Sequence, residues 1–168
     1  MLKRLVDYVL PALALFACVW VSRVFVAADA VALVMPLASL LAIALVGVVG
    51  GLLPALPLGV AYGLMREHPV VSPALVVASS AAGLELVFAS ILVPWWAFVS
   101  WFVLPLECLT LVLFFPVAAW IGSHLLPSRS RGLRRSIGLT AFAVLALCAV
   151  VLPWVYSCIW LGACGIVS

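Results

Sequence analysis

Polar residues interrupt this chain at only a few places, and the apolar runs between them define its elements. Lys3 and Arg4, then Arg23 and Asp29, then Arg66, Glu67 and His68, then Arg129, Arg131, Arg134 and Arg135 bracket five continuous apolar stretches, near residues 5–26, 31–53, 70–92, 97–121 and 136–160. None alternates polar and apolar positions as the strands of an outer-membrane barrel would. Each is close to the roughly 20 residues a helix needs to cross a hydrocarbon core about 30 Å thick. In lipid a helix satisfies every backbone N–H and C=O within its own segment. The pattern therefore predicts an all-α integral membrane helical bundle of about five transmembrane helices, some broken by Pro and Gly, forming one polytopic domain over residues 1–168.

Composition narrows the class further. Hydrophobic residues make up 69% of the chain and charged residues 8%, with a mean hydropathy of +1.45, values far from those of soluble domains. The lipid bilayer is the first partner this implies, and nothing in the charge pattern suits nucleic acid. The bias toward Ala, Val and Leu fits a bacterial inner (plasma) membrane.

Charge and aromatic placement give an orientation. Short loops rich in Lys and Arg stay cytoplasmic, which puts the N-terminus, the Arg66 segment and "SRSRGLRR" (128–135) inside and the C-terminus outside. Trp20, Trp95, Trp96, Trp101, Trp154 and Trp160 then fall at outer ends, as interface anchors should, and Trp120 alone lies at an inner end. The N-terminal run resembles a secretory signal, but Asp7 interrupts it and Phe16 is too bulky for a lipoprotein cleavage box before Cys18, so an uncleaved first helix is expected.

Two segments strain the count of five. Apolar character continues from Val31 to Leu64, too long for one crossing, and Gly50, Gly51, Pro54 and Pro57 predict a helix that ends or kinks near Gly51, with the remainder at the inner interface or re-entering the bundle. The rival reading, a sixth crossing, would carry the arginine-rich loop outside. After Pro153 the chain either kinks or lies along the outer surface.

Candidate chemistry is sparse. Cys18, Cys108, Cys148, Cys158 and Cys164 form no CxxC pair and have no paired histidines; Cys18, Cys108 and Cys148 read as small buried hydrophobes, while Cys158 and Cys164 fall near the predicted outer face and could pair only if the helix unwinds after Pro153. His68 and His124 border the charged loops. No catalytic residue, metal ligand or cofactor is expected. Arg129, Arg131, Arg134 and Arg135 could contact anionic lipid headgroups, although holding the loop inside already accounts for them. Three small-xxx-small pairs, Gly47/Gly51, Gly59/Gly63 and Ser79/Gly83, predict close helix packing within the bundle.

Glu85 and Glu107 stand apart, because they are the carboxylates this topology places deep in hydrocarbon. A hairpin turning at Trp95 and Trp96 gives them equal depth, about 12–16 Å in from its outer end. An acidic residue at a helix centre costs near 3 kcal/mol on insertion scales, and two at one depth cannot both stay ionised without a counter-cation. They are a candidate proton- or cation-binding pair, with Pro105 freeing a carbonyl and Ser90, Ser100 and Thr110 offering hydroxyls nearby. The alternative is that each carboxyl is protonated packing glue between helices.

The sequence thus predicts a multi-pass, non-enzymatic bundle acting as an accessory or assembly subunit. The alternative is a small ion- or proton-coupled transporter component built on Glu85 and Glu107, with the broken segment 50–63 as its discontinuous element. Too few polar residues line the spans for a wide aqueous path in one copy, and a homo-oligomer or a larger membrane complex could complete it.

Overall fold

The computed structural model describes residues 7–21, 40–66, 70–92, 97–127 and 129–160. Five helices form, α1 (Asp7–Val21), α2 (Leu40–Met65), α3 (Val71–Leu92), α4 (Ala97–His124) and α5 (Arg131–Trp160), of which α2 reaches well past the end of its predicted run. No strand occurs among the described residues. The chain is an all-α bundle in which α2 to α5 are long and apolar enough to cross a membrane, while α1 is apolar and shorter.

The expected end of the helix at Gly51 does not occur: α2 runs on through Gly50, Gly51, Pro54 and Pro57 to Met65, and its candidate crossing among the described residues is Ala44–Met65. Proline in such a helix removes one backbone bond, and neighbouring helices can make up the loss where water cannot. The neighbour here is α4. A β-carbon on Gly47 would meet the Leu106 side chain at 3.1 Å, one on Gly51 the Thr110 side chain at 2.8 Å, and one on Gly59 the Ala118 side chain at 2.7 Å. Residue numbers rise together along both helices, so α2 and α4 run parallel. Toward their C-termini the backbones touch, with Gly63 against Ala119 and Gly122 against Val60.

Helix α3 turns its small residues inward, with Ala74, Ala78 and Ala81 fully buried along the stripe that Glu85 continues. The third small-residue pair behaves differently from the other two. Ser79 and Gly83 lie on the exposed side of α3, and a β-carbon at Gly83 would touch nothing within 4 Å.

Helix α1 bridges the two ends of the bundle. Near its start, the Arg66 guanidinium lies 5.3 Å from the Tyr8 ring and 5.7 Å from the Tyr62 ring, and near its end Phe16 and Trp20 pack on Phe88 at centroid distances of 5.1 and 6.5 Å. Helix α5 begins at Arg131, a turn earlier than predicted, and takes part of the arginine-rich loop into its first turn. It docks on α2 through Gly138, where a β-carbon would meet Met65 at 2.8 Å and the Ala61 carbonyl at 2.9 Å. Leu126, in the turn between α4 and α5, has a left-handed backbone with φ of 57°.

Candidate functional site

Both predicted carboxylates are in the interior. Glu85 is 0% exposed on α3 and Glu107 is 1% exposed on α4, and neither side chain turns outward toward the apolar surface. Their surroundings come from three helices. The Cys108 thiol donates to Glu85 Oε2 at 3.9 Å and to the Ala82 carbonyl at 3.7 Å, which ties Glu85 to the residue that follows Glu107. Glu107 itself reaches the opposite neighbour, α2. A β-carbon at Gly50 would lie 2.5 Å from Glu107 Oε1 and 3.3 Å from its carboxyl carbon, so only a glycine leaves the carboxyl its place.

Gly50 matters for a second reason. It lies four residues before Pro54, which has no N–H, so the Gly50 carbonyl lacks its usual helical donor. Gly50 and Glu107 each sit about 15 Å from the start of their helices.

Two of the three hydroxyls predicted to assist are engaged within their own helices. Thr110 donates to the Leu106 carbonyl at 2.7 Å and Ser90 to the Val87 carbonyl at 2.7 Å, each closing a bond within its own helix, and the side chain of Ser100 lies outside the described residues. In their place the structure brings in Cys108 and Gly50. Cys108 reads in the sequence as an inert hydrophobe and Gly50 as a helix breaker, and only their packing reveals the part they take. Compared with protein-family models, characterised proteins and solved structures, the chain matches none. The carboxyl layer is therefore interpreted from its own geometry.

The arginines divide into two groups. Arg131, Arg134 and Arg135 line a cleft of about 90 Å³ together with Arg66, Leu64 and Met65, whereas exposed Arg129 is not part of that lining. Arg134 also donates to the Ser123 carbonyl at 2.5 Å and so caps the last turn of α4. Of the predicted interface tryptophans, Trp20 is half-buried against Phe16 and Phe88. Trp95 and Trp96 lie outside the described residues, as do the side chains of Trp101, Trp154 and Trp160. Cys164 and the side chain of Cys158 lie outside them too. Among the described residues, no three His, Cys, Asp or Glu side chains are grouped as a metal site requires.

Proposed function

We propose that this protein is a multi-pass, non-enzymatic membrane bundle whose interior carboxyls, Glu85 and Glu107, hold a proton, or a small cation in its place, near the middle of the bilayer. The observation that carries this reading is the complete burial of both acidic side chains within one layer of α2, α3 and α4. Burying a carboxyl in an apolar interior is costly unless it is neutralised and hydrogen-bonded. The Gly50 carbonyl, left without its helical donor by Pro54, is an acceptor on the helix that Glu107 packs against.

The close glycine-mediated contact of α2 with α4 leaves little space for a wide aqueous path, so the bundle works as a proton-responsive subunit of a larger membrane assembly or a homo-oligomer. The basic character of its short loops supports an N-terminus in the cytoplasm and a C-terminus outside, and its Ala, Val and Leu bias supports a bacterial inner membrane. A reporter fused after Ser168 tests the orientation, and a cytoplasmic signal there would remove it.

The carboxyl reading is tested with a hydrophobic carbodiimide, which enters membranes and reacts with protonated carboxyls. Mass spectrometry of the labelled protein should find the adduct on Glu85 or Glu107, with labelling falling as pH rises and lost in Glu85→Gln or Glu107→Gln respectively. Absence of labelling at acidic pH, with the same residues reacting once the protein is unfolded, would overturn the proposal.

A further inference from the structure

The carboxyl layer divides the bundle into two unequal halves. About 22 Å of α2 and about 25 Å of α4 separate Gly50 and Glu107 from the helix ends at Met65 and His124. Along that stretch the two helices touch backbone to backbone. A β-carbon on Gly59 would meet the Phe115 carbonyl at 2.8 Å, Gly63 faces the Ala119 backbone, and Gly122 faces that of Val60.

The space between α2, α3 and α4 in this half is filled by apolar side chains. Ala55 and Leu58 from α2, Val77 and Ala78 from α3, and Leu111 and Phe115 from α4 are each 2% exposed or less. The Tyr62 ring closes the far end, 5.6 Å from the Phe115 ring and with the Arg66 guanidinium over it. Tyr62 lies about 18 Å along α2 from Gly50. Between the layer and Tyr62 the one buried polar side chain among the described residues is Thr110, whose hydroxyl is bonded to the Leu106 carbonyl of its own helix. A proton crosses a protein along waters or hydrogen-bonded side chains, and a buried water needs two to four polar partners. The side chains of this core offer a chain of waters no such partners.

We propose that this packed half is a proton barrier, so that Glu85 and Glu107 exchange protons only with the compartment facing the ends at which α2 and α4 begin. The inference rests on the reading of these carboxyls as proton-holding groups. The route to that side is the shorter one: about 15 Å from Glu107 to the start of α4, and about 10 Å from Glu85 to the end of α3. The interior residues of α3 and α4 next to the layer on that side, Ala89, Val103 and Leu104, are each 6–7% exposed, less tightly enclosed than those of the barrier. A bundle built in this way senses the proton concentration of one compartment and is blind to that of the other.

The test uses the full-length chain in sealed membrane vesicles of the two orientations. Sides are named by the 128–135 loop, which added trypsin reaches in one orientation only, so the result does not depend on which compartment that loop faces. A hydrophobic carbodiimide enters from the lipid and meets the layer in both orientations, whereas the protons its reaction requires come through the protein. With the pH of each side set separately, raising the side opposite the loop from about pH 6 to about pH 9 should lower labelling of Glu85 or Glu107 at least about fivefold, and the same step on the loop side should leave it within about twofold. Leu111→Asn, which puts a polar group of similar size into the barrier, should make labelling follow the loop side as well. The wild-type comparison decides by itself if this variant does not fold, and a folded variant that still ignores the loop side would overturn the barrier. Wild-type labelling that follows the loop side, both sides or neither would overturn one-sided exchange and leave the carboxyl reading standing. No labelling with both sides acidic, from residues that react once the protein is unfolded, would instead remove that reading and the barrier with it.

Discussion

The Glu107 carboxyl rests on Gly50, close enough that a β-carbon there would come within 2.5 Å of Oε1. One glycine in the middle of a membrane helix thus defines where a buried acid can lie. Gly50→Ala should force Glu107 to shift, and overpacking of this kind costs about 1–3 kcal/mol. The obstructing atom is the far end of a side chain, so Glu107→Ala should relieve the clash and make the double variant less destabilised than the two losses added. Thermal unfolding of the four proteins in detergent checks this, and strict additivity would contradict the contact.

Gly51 has stiffer neighbours than Gly50. A β-carbon there meets the Glu107 carbonyl and Thr110 Cβ, both at 2.8 Å, and a backbone cannot swing aside as a carboxyl can. Gly51→Ala should therefore destabilise more than Gly50→Ala, with no rescue by Glu107→Ala. Unfolding midpoints of the two single variants decide the order.

Gln and Ala should separate at Glu85. Gln keeps an acceptor for the Cys108 thiol and nearly the same volume, so Glu85→Gln should unfold close to wild type while losing carbodiimide reactivity at that position. Glu85→Ala removes the acceptor and leaves a void, with about 0.6–2 kcal/mol lost through the interhelical bond alone. A Gln variant as unstable as the Ala variant would show that the charge or proton itself holds the bundle together.

Arg134 joins two helix ends by donating to the Ser123 carbonyl. Arg134→Met keeps the apolar stem and removes the donor. Half-exposure of the residue lowers the usual value for a charge-assisted bond to about 1 kcal/mol. Arg135→Met, whose side chain is exposed, should change stability by less than about 0.5 kcal/mol. Differential scanning of the two variants measures the contrast.

Leu126 adopts the left-handed backbone that favours glycine, at a cost of about 1–2 kcal/mol for an L-residue. Leu126→Gly should be net stabilising by about 0.5–1 kcal/mol, because the relief exceeds the extra freedom of glycine in the unfolded chain. A lower unfolding temperature for this variant would mean that the Leu126 side chain contributes more than its exposed position suggests.

Helices α3 and α4 were legible almost to the residue. Arg66 to His68 and the Pro-Trp-Trp run bound them with strong polar or aromatic markers. Helix α2 was misplaced because the breaker rule for glycine and proline comes from helices in water, where nothing replaces a missing backbone bond. The depth of Glu85 and Glu107 could be counted along the chain. Their rotation into the interior could not, since facing depends on how α2 settles against α4. The pairing of Gly50 with Glu107 is a contact between parallel helices separated by a third, and no local spacing encodes it. The same applies to Ser79 and Gly83, whose spacing is right for packing but whose face of α3 turns outward.

The parallel course of α2 and α4 bears on how such a chain is assembled. The two helices are separated by α3, so α2 emerges from the ribosome two helices before its principal partner. A chain inserted from its N-terminus must hold the glycine face of α2 unmatched until α4 is synthesised. Glu107, in turn, enters the bilayer only after the surface that receives it is already in place. Of the two buried acids, the one that α2 receives thus arrives last, and biogenesis proceeds with the receptor made before the residue that fills it.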